Sequence, residues 1–226
     1  MKKKHYIYQM DMTVLNVIAS LIFFVGIFLF IYVLNLTPYH LNFDYKKDYS
    51  LLMFLLVPYF MLHEVFHFFG YSFNGADPKK ITFGIHLEKG VLCCSCKQTI
   101  NKRCIMWSLI YPFLFLGVIT MIIGFVINSS VLILLSLANM SGAAGDLIMF
   151  LNFIKLKDFD FAEYDDPIGF SLYSKNDLSK KKMFGLKYIE TKDKLDCHVG
   201  KKITVSKKSI YYLTIWYILC LVFCIV

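Results

Sequence analysis

Residues 51–71 read LLMFLLVPYFMLHEVFHFFGY. The stretch is uncharged until His63, Glu64 and His67 fall within five positions. As a helix rising about 1.5 Å per residue it reaches about 30 Å, the thickness of a bilayer's hydrocarbon core. This run therefore reads as a membrane span with a polar cluster sunk into it. The whole chain agrees. Of its 226 residues 58% are hydrophobic and 18% charged, with a mean hydropathy of +0.58. A soluble domain is typically about 45–50% apolar and about 25% charged, so too little polar surface remains to coat a globule in water. High hydrophobicity excludes intrinsic disorder. Seven cysteines, an odd number that includes Cys220 and Cys224 in an apolar run, argue against a secreted disulfide scaffold.

Four further apolar runs follow the same reading: 13–34, 105–127 with Pro112 early in it, 131–154, and the short terminal run 210–226. The first comes after Lys2, Lys3 and Lys4. It is longer than a signal peptide's apolar region of about 7–15 residues and no A-x-A-like site follows, so it reads as a retained anchor. The expected fold class is an all-α transmembrane helix bundle of about five spans. A small β-hairpin-like cytosolic loop and a mixed cytosolic segment before the last span complete it. The expected organisation is a membrane-embedded core, 1–154, with spans near 13–34, 51–71, 105–127 and 131–154. A cytosolic mixed segment, 155–209, and a C-terminal helix, 210–226, follow.

The hairpin is expected at 81–87 and 90–94, two β-prone runs after the turn residues Asn74, Gly75, Asp77 and Pro78. Further strands are expected at 184–189 and 203–205. Basic residues set the orientation. With the N-terminus in the cytosol, 22 of the 24 Lys and Arg lie on the cytosolic side and only Lys46 and Lys47 outside. The cluster in 51–71 then faces the cytosolic half of the membrane, and the C-terminus lies outside. The +8 net charge is mostly this topology signal, with some affinity for anionic lipid. Its scatter along the chain argues against a nucleic-acid partner.

His63-Glu64-Val65-Phe66-His67 is an H-E-x-x-H motif. Residues four apart on a helix differ by 400°, so the two imidazoles sit about 40° apart on one face and can grip one Zn²⁺. Glu64 can take a proton from a metal-activated water and pass it to a leaving amine. Chance alone yields the motif in this composition with a probability of roughly 0.003. Ionisable groups at membrane depth are costly. The five runs hold only four, His63, Glu64, His67 and Asp146, and no Lys or Arg. A divalent cation is the natural counter-charge, which makes Asp146 the candidate third ligand. Depth permits it: from the cytosolic ends of their helices, His67, His63 and Asp146 lie about 10, 16 and 13 Å deep. Small residues, Ser141-Gly142-Ala143-Ala144-Gly145, allow close helix approach there. Asn139 is either a donor to a substrate oxygen or a helix–helix contact. Cys93, Cys94 and Cys96 lack a C-x₂-C partner pair and are expected as thiols. His5, His40 and His86 are expected to be solvated.

These residues resemble a zincin peptidase family of bacterial membrane proteins, and more broadly the intramembrane metalloproteases of the site-two-protease type. The resemblance rests on His63-Glu64-x-x-His67, Cys94-Ser95-Cys96-Lys97, Tyr111-Pro112 and Ser141 through Asp146. It covers about residues 50–170. It implies His63, His67 and Asp146 as zinc ligands, Glu64 as acid/base, and a membrane-protein or peptide substrate. Site-two proteases usually carry their aspartate as Asn-Pro-x-x-Asp-Gly, whereas this chain has Gly145-Asp146-Leu147. The alternative function is a non-catalytic zinc-binding module in partner binding or regulation. A transporter is disfavoured, since it usually needs several polar sites and repeated halves. The sequence leaves the oligomeric state open.

Overall fold

The computed structural model describes residues 4–36, 45–86, 91–157, 159–163, 169–179, 181–189, 202–205, 211 and 215. The elements in chain order are β1 (Lys4–Met10), α1 (Met12–Leu36), α2 (Tyr45–Phe73), β2 (Ile81–His86), β3 (Val91–Cys96) and β4 (Ile100–Asn101). After them come α3 (Lys102–Pro112), a π-helical stretch (Phe113–Ile119), α4 (Thr120–Val126), α5 (Ser130–Gly142) and α6 (Ala144–Ile154). The chain closes with β5 (Asp160–Glu163), β6 (Gly169–Ser174), β7 (Leu186–Ile189) and β8 (Lys202–Val205).

Among the described residues three helices are long and apolar enough to cross a membrane: Met12–Val33, Lys46–Phe73 and Lys102–Val126. The pair α5 and α6 qualifies as a fourth when taken as one broken span, bent by 53°. The run 131–154 is thus not straight. It breaks at Ala143 (φ −76°, ψ 8°), inside the small-residue stretch, where side chains too short to pack leave the turn free to open. The expected fifth span, 210–226, lies outside the described residues except for Tyr211 and Ile215.

An all-α bundle is not what forms. The fold is mixed α and β, with a five-stranded antiparallel sheet in the order β4-β5-β6-β1-β7 and a three-stranded one in the order β3-β2-β8. The hairpin stands, as β2 paired with β3 from Ile81↔Cys96 to His86↔Val91. The strands expected at 184–189 and 203–205 appear as β7 and β8. The sequence reading placed no strand at the N-terminus. Lys4–Met10 is an interior strand of the five-stranded sheet, with Tyr6 opposite Leu172 and Tyr8 opposite both Phe170 and Tyr188. A seven-residue strand cannot satisfy its own amides, and the partners of β1 lie 160 or more residues away, beyond any local pattern.

The five-stranded sheet is tied to the helices at both ends of the chain. Asp11 joins β1 to α1 directly, accepting from Thr13 N (3.0 Å) as a helix cap and pairing with Lys187 of β7 at 2.8 Å. Phe153 near the end of α6 is fully buried among Phe159, Phe161 and Phe170. Lys102 Nζ donates to Leu156 O at 2.5 Å, which satisfies a carbonyl beyond the end of α6. The sheet therefore anchors the C-terminal end of α6 through Phe153.

Candidate metal centre

The site is built from α2, α5 and α6, with α3 behind it. His63 and His67 lie on one face of α2, as their spacing requires. Both are buried, at 7% and 8% exposure. Asp146 is in the first turn of α6, just past the bend. The side-chain atoms His63 Nε2 and Asp146 Oδ2 are 3.2 Å apart, His67 Nε2 and His63 Nε2 3.1 Å, and His67 Nε2 and Asp146 Oδ2 3.5 Å. Among the described residues these three form the only group of three or more His, Cys, Asp and Glu donors close enough to share an ion.

The far nitrogen of each imidazole shows which atoms face inward. His67 Nδ1 lies 2.9 Å from Ser108 O. A carbonyl only accepts, so Nδ1 carries the proton and Nε2 presents a lone pair. On the other ring, Asn139 Nδ2 donates to Pro112 O at 3.1 Å, which turns Asn139 Oδ1 toward His63 Nδ1 at 2.8 Å. His63 Nδ1 is therefore the donor and its Nε2 also presents a lone pair. With both imidazoles neutral, two lone pairs and a carboxylate oxygen converge, an arrangement that is repulsive unless a cation or a proton sits between.

Zinc fits this donor set. Ligand bonds of about 2.0–2.2 Å in a tetrahedron place neighbouring donors roughly 3.3–3.5 Å apart, and the three distances here run from 3.1 to 3.5 Å. Each histidine also has the outer hydrogen bond that fixes a metal-binding ring.

Glu64 sits on α2 between the histidines, half-buried, and makes no hydrogen bond among the described residues. Asn139, fully buried, orients His63: its Oδ1 faces His63 Nδ1 and its Nδ2 donates to Pro112 O. Because Asn139 and Asp146 stand on either side of the bend, they take opposite edges of one imidazole. Three contributors escaped the sequence reading, namely Ser108, Pro112 and Gly70, since two act through backbone carbonyls and the third through having no side chain. The remaining candidates lie elsewhere. His5 is exposed, with Nε2 2.9 Å from Ser171 Oγ and its ring stacked on Tyr173. Cys94 and Cys96 are buried in β3. His40 lies outside the described residues.

Residues 54–158, which hold every residue of this centre, match the family model described as "Putative zincin peptidase". No curated protein and no solved structure matches the chain.

Proposed function

We propose, from the match of residues 54–158 to the zincin peptidase family model, that this chain is a membrane-embedded zinc endopeptidase that hydrolyses a peptide bond in or near the bilayer. The triangle of His63 Nε2, His67 Nε2 and Asp146 Oδ2 carries the reading. Three protein donors leave one tetrahedral position open, as catalytic zinc sites do, whereas structural sites are closed by four. Zinc bound there supplies a Lewis acid that polarises a substrate carbonyl and raises the reactivity of water. Glu64 takes the proton from the attacking water and delivers it to the leaving amine. Asn139 and the Ser108 carbonyl hold the two imidazoles in the tautomer that the ligands need.

The strand pairing supports the proposed topology. β1, β4 and the β5–β7 strands share one sheet, which supports a reading in which the chain before α1, after α2 and after α6 lies on one side of the bilayer. That is the result of crossing with α1, returning with α2, crossing with α3–α4 and returning with α5–α6. The excess of Lys on that side supports a cytosolic assignment, with the substrate a membrane protein or peptide.

The test compares purified wild type with Glu64→Gln and His67→Ala, by zinc content and by cleavage of a mixed pool of membrane-protein segments in micelles. Glu64→Gln is expected to keep its zinc and lose cleavage by about 10²- to 10⁴-fold, and His67→Ala to lose both. Undiminished cleavage by Glu64→Gln would end the proposal.

A further inference from the structure

We propose that Pro112, which contributes no ligand, is the positioning residue that orients both histidines of the centre; the inference rests on the metal-site reading above. Proline has no backbone N–H, so the carbonyl four residues earlier in a helix loses its usual donor. Here that carbonyl belongs to Ser108, and it is the acceptor of His67 Nδ1 at 2.9 Å. The next amide does not reclaim it, because Phe113 N donates to Ile110 O. The carbonyl of Pro112 itself accepts from Asn139 Nδ2, and that contact aims Asn139 Oδ1 at His63 Nδ1. One residue thus sets the tautomer of His67 by an absent donor, and of His63 by a present acceptor.

The surroundings hold this device in place. Pro112 is fully buried. Ser108 Oγ donates to His67 O at 3.3 Å, and Gly70 lets α2 lie against Ser108. Beyond Pro112 the helix widens into the π-helical stretch Phe113–Ile119, a distortion frequent at functional sites. It is tied to α2 by Tyr59, whose hydroxyl donates to Leu116 O, and by Phe66 stacked on Phe115 at 5.1 Å. The helix tolerates a buried proline, which is unfavourable in a helix interior, because the carbonyls it leaves are used.

Pro112→Ala restores an amide at 112 that competes with His67 for Ser108 O. It also removes a residue that disfavours the helix. The two effects have opposite signs, and this separates positioning from plain structural support. Zinc affinity is measured by competition with a chromogenic chelator, and the melting temperature of the metal-free protein in the same detergent, for wild type, Pro112→Ala, Asn139→Ala and the double variant. Pro112→Ala is expected to bind zinc about 10- to 100-fold more weakly, the usual cost of losing an outer partner, with a metal-free melting temperature equal to or above wild type. Asn139→Ala is expected to cost about as much in the Pro112→Ala background as alone, since alanine keeps the carbonyl at 112 and the two substitutions act on different imidazoles. Unchanged affinity in Pro112→Ala overturns the inference, and so does a metal-free melting temperature that falls with the affinity. A wild type that binds no zinc overturns the metal-site reading instead.

Discussion

Gly70 lies so close to Ser108 that a Cβ added to it would stand 2.4 Å from the Ser108 Cα. That contact brings α2 against α3 one turn beyond His67, and it is why the Ser108 carbonyl is within reach of an imidazole.

The substitution Gly70→Ala follows from this contact. In an unconstrained helix interior, alanine is favoured over glycine by about 0.5–1 kcal/mol. Here the methyl group meets backbone atoms on the neighbouring helix, which cannot rotate away. Overpacking costs typically about 1–3 kcal/mol, so the sign reverses. The variant is expected to melt below wild type and bind zinc more weakly. Thermal unfolding in detergent and chelator competition check both, and a stabilised Gly70→Ala would mean that α2 and α3 are not in contact there.

Zinc is expected to stabilise the fold through the same triangle. Two lone pairs and a carboxylate face one another across 3.1–3.5 Å, and a ligand bound only by the folded state adds about 2.7 kcal/mol when free zinc is 100-fold above its dissociation constant. Removing zinc with a chelator should lower the melting temperature, and restoring it should reverse the change. Asp146→Ala should be insensitive to both treatments. A wild type that melts identically with and without zinc would contradict the centre.

Tyr8 tests the sheet. It is 1% exposed in the central strand, and its hydroxyl donates to Leu178 O at 3.0 Å. Burial, with Tyr188, Tyr6 and Asp177 nearby, pushes its phenol up to about 12, so it remains a donor throughout the neutral range. Tyr8→Phe keeps the ring packing and leaves the Leu178 carbonyl without that donor, at a cost of about 1–3 kcal/mol. The readout is the melting temperature, with zinc content expected to stay at the wild-type level. A variant that keeps its melting temperature but loses zinc would show that the sheet is coupled to the centre in another way.

The legible part of the molecule was that governed by local period and by solvent. The run that ends in His63 and His67 declared an apolar helix with two histidines on one face, because helical spacing and the cost of burying ionisable groups act within a few residues. Asp146 was legible by elimination, as the remaining ionisable group at that depth. The bend at Ala143 was not, since a short-side-chain stretch is compatible with a straight helix until its neighbours pack. β1 was not legible as a strand because its ladder partners are supplied by β6 and β7.

By itself, then, the sequence determined that the chain holds runs long and apolar enough to cross a bilayer, with a paired-histidine motif in one and a lone carboxylate in another. Those are properties of composition and helical repeat, which need no partner to be expressed. Only the tertiary structure decided that the fold is mixed α and β, that the fourth apolar run breaks, and that Ser108 and Asn139 steer the imidazoles. Each of these depends on backbone groups or surfaces brought together from distant positions, and hydrogen bonds of that kind leave no trace in residue type.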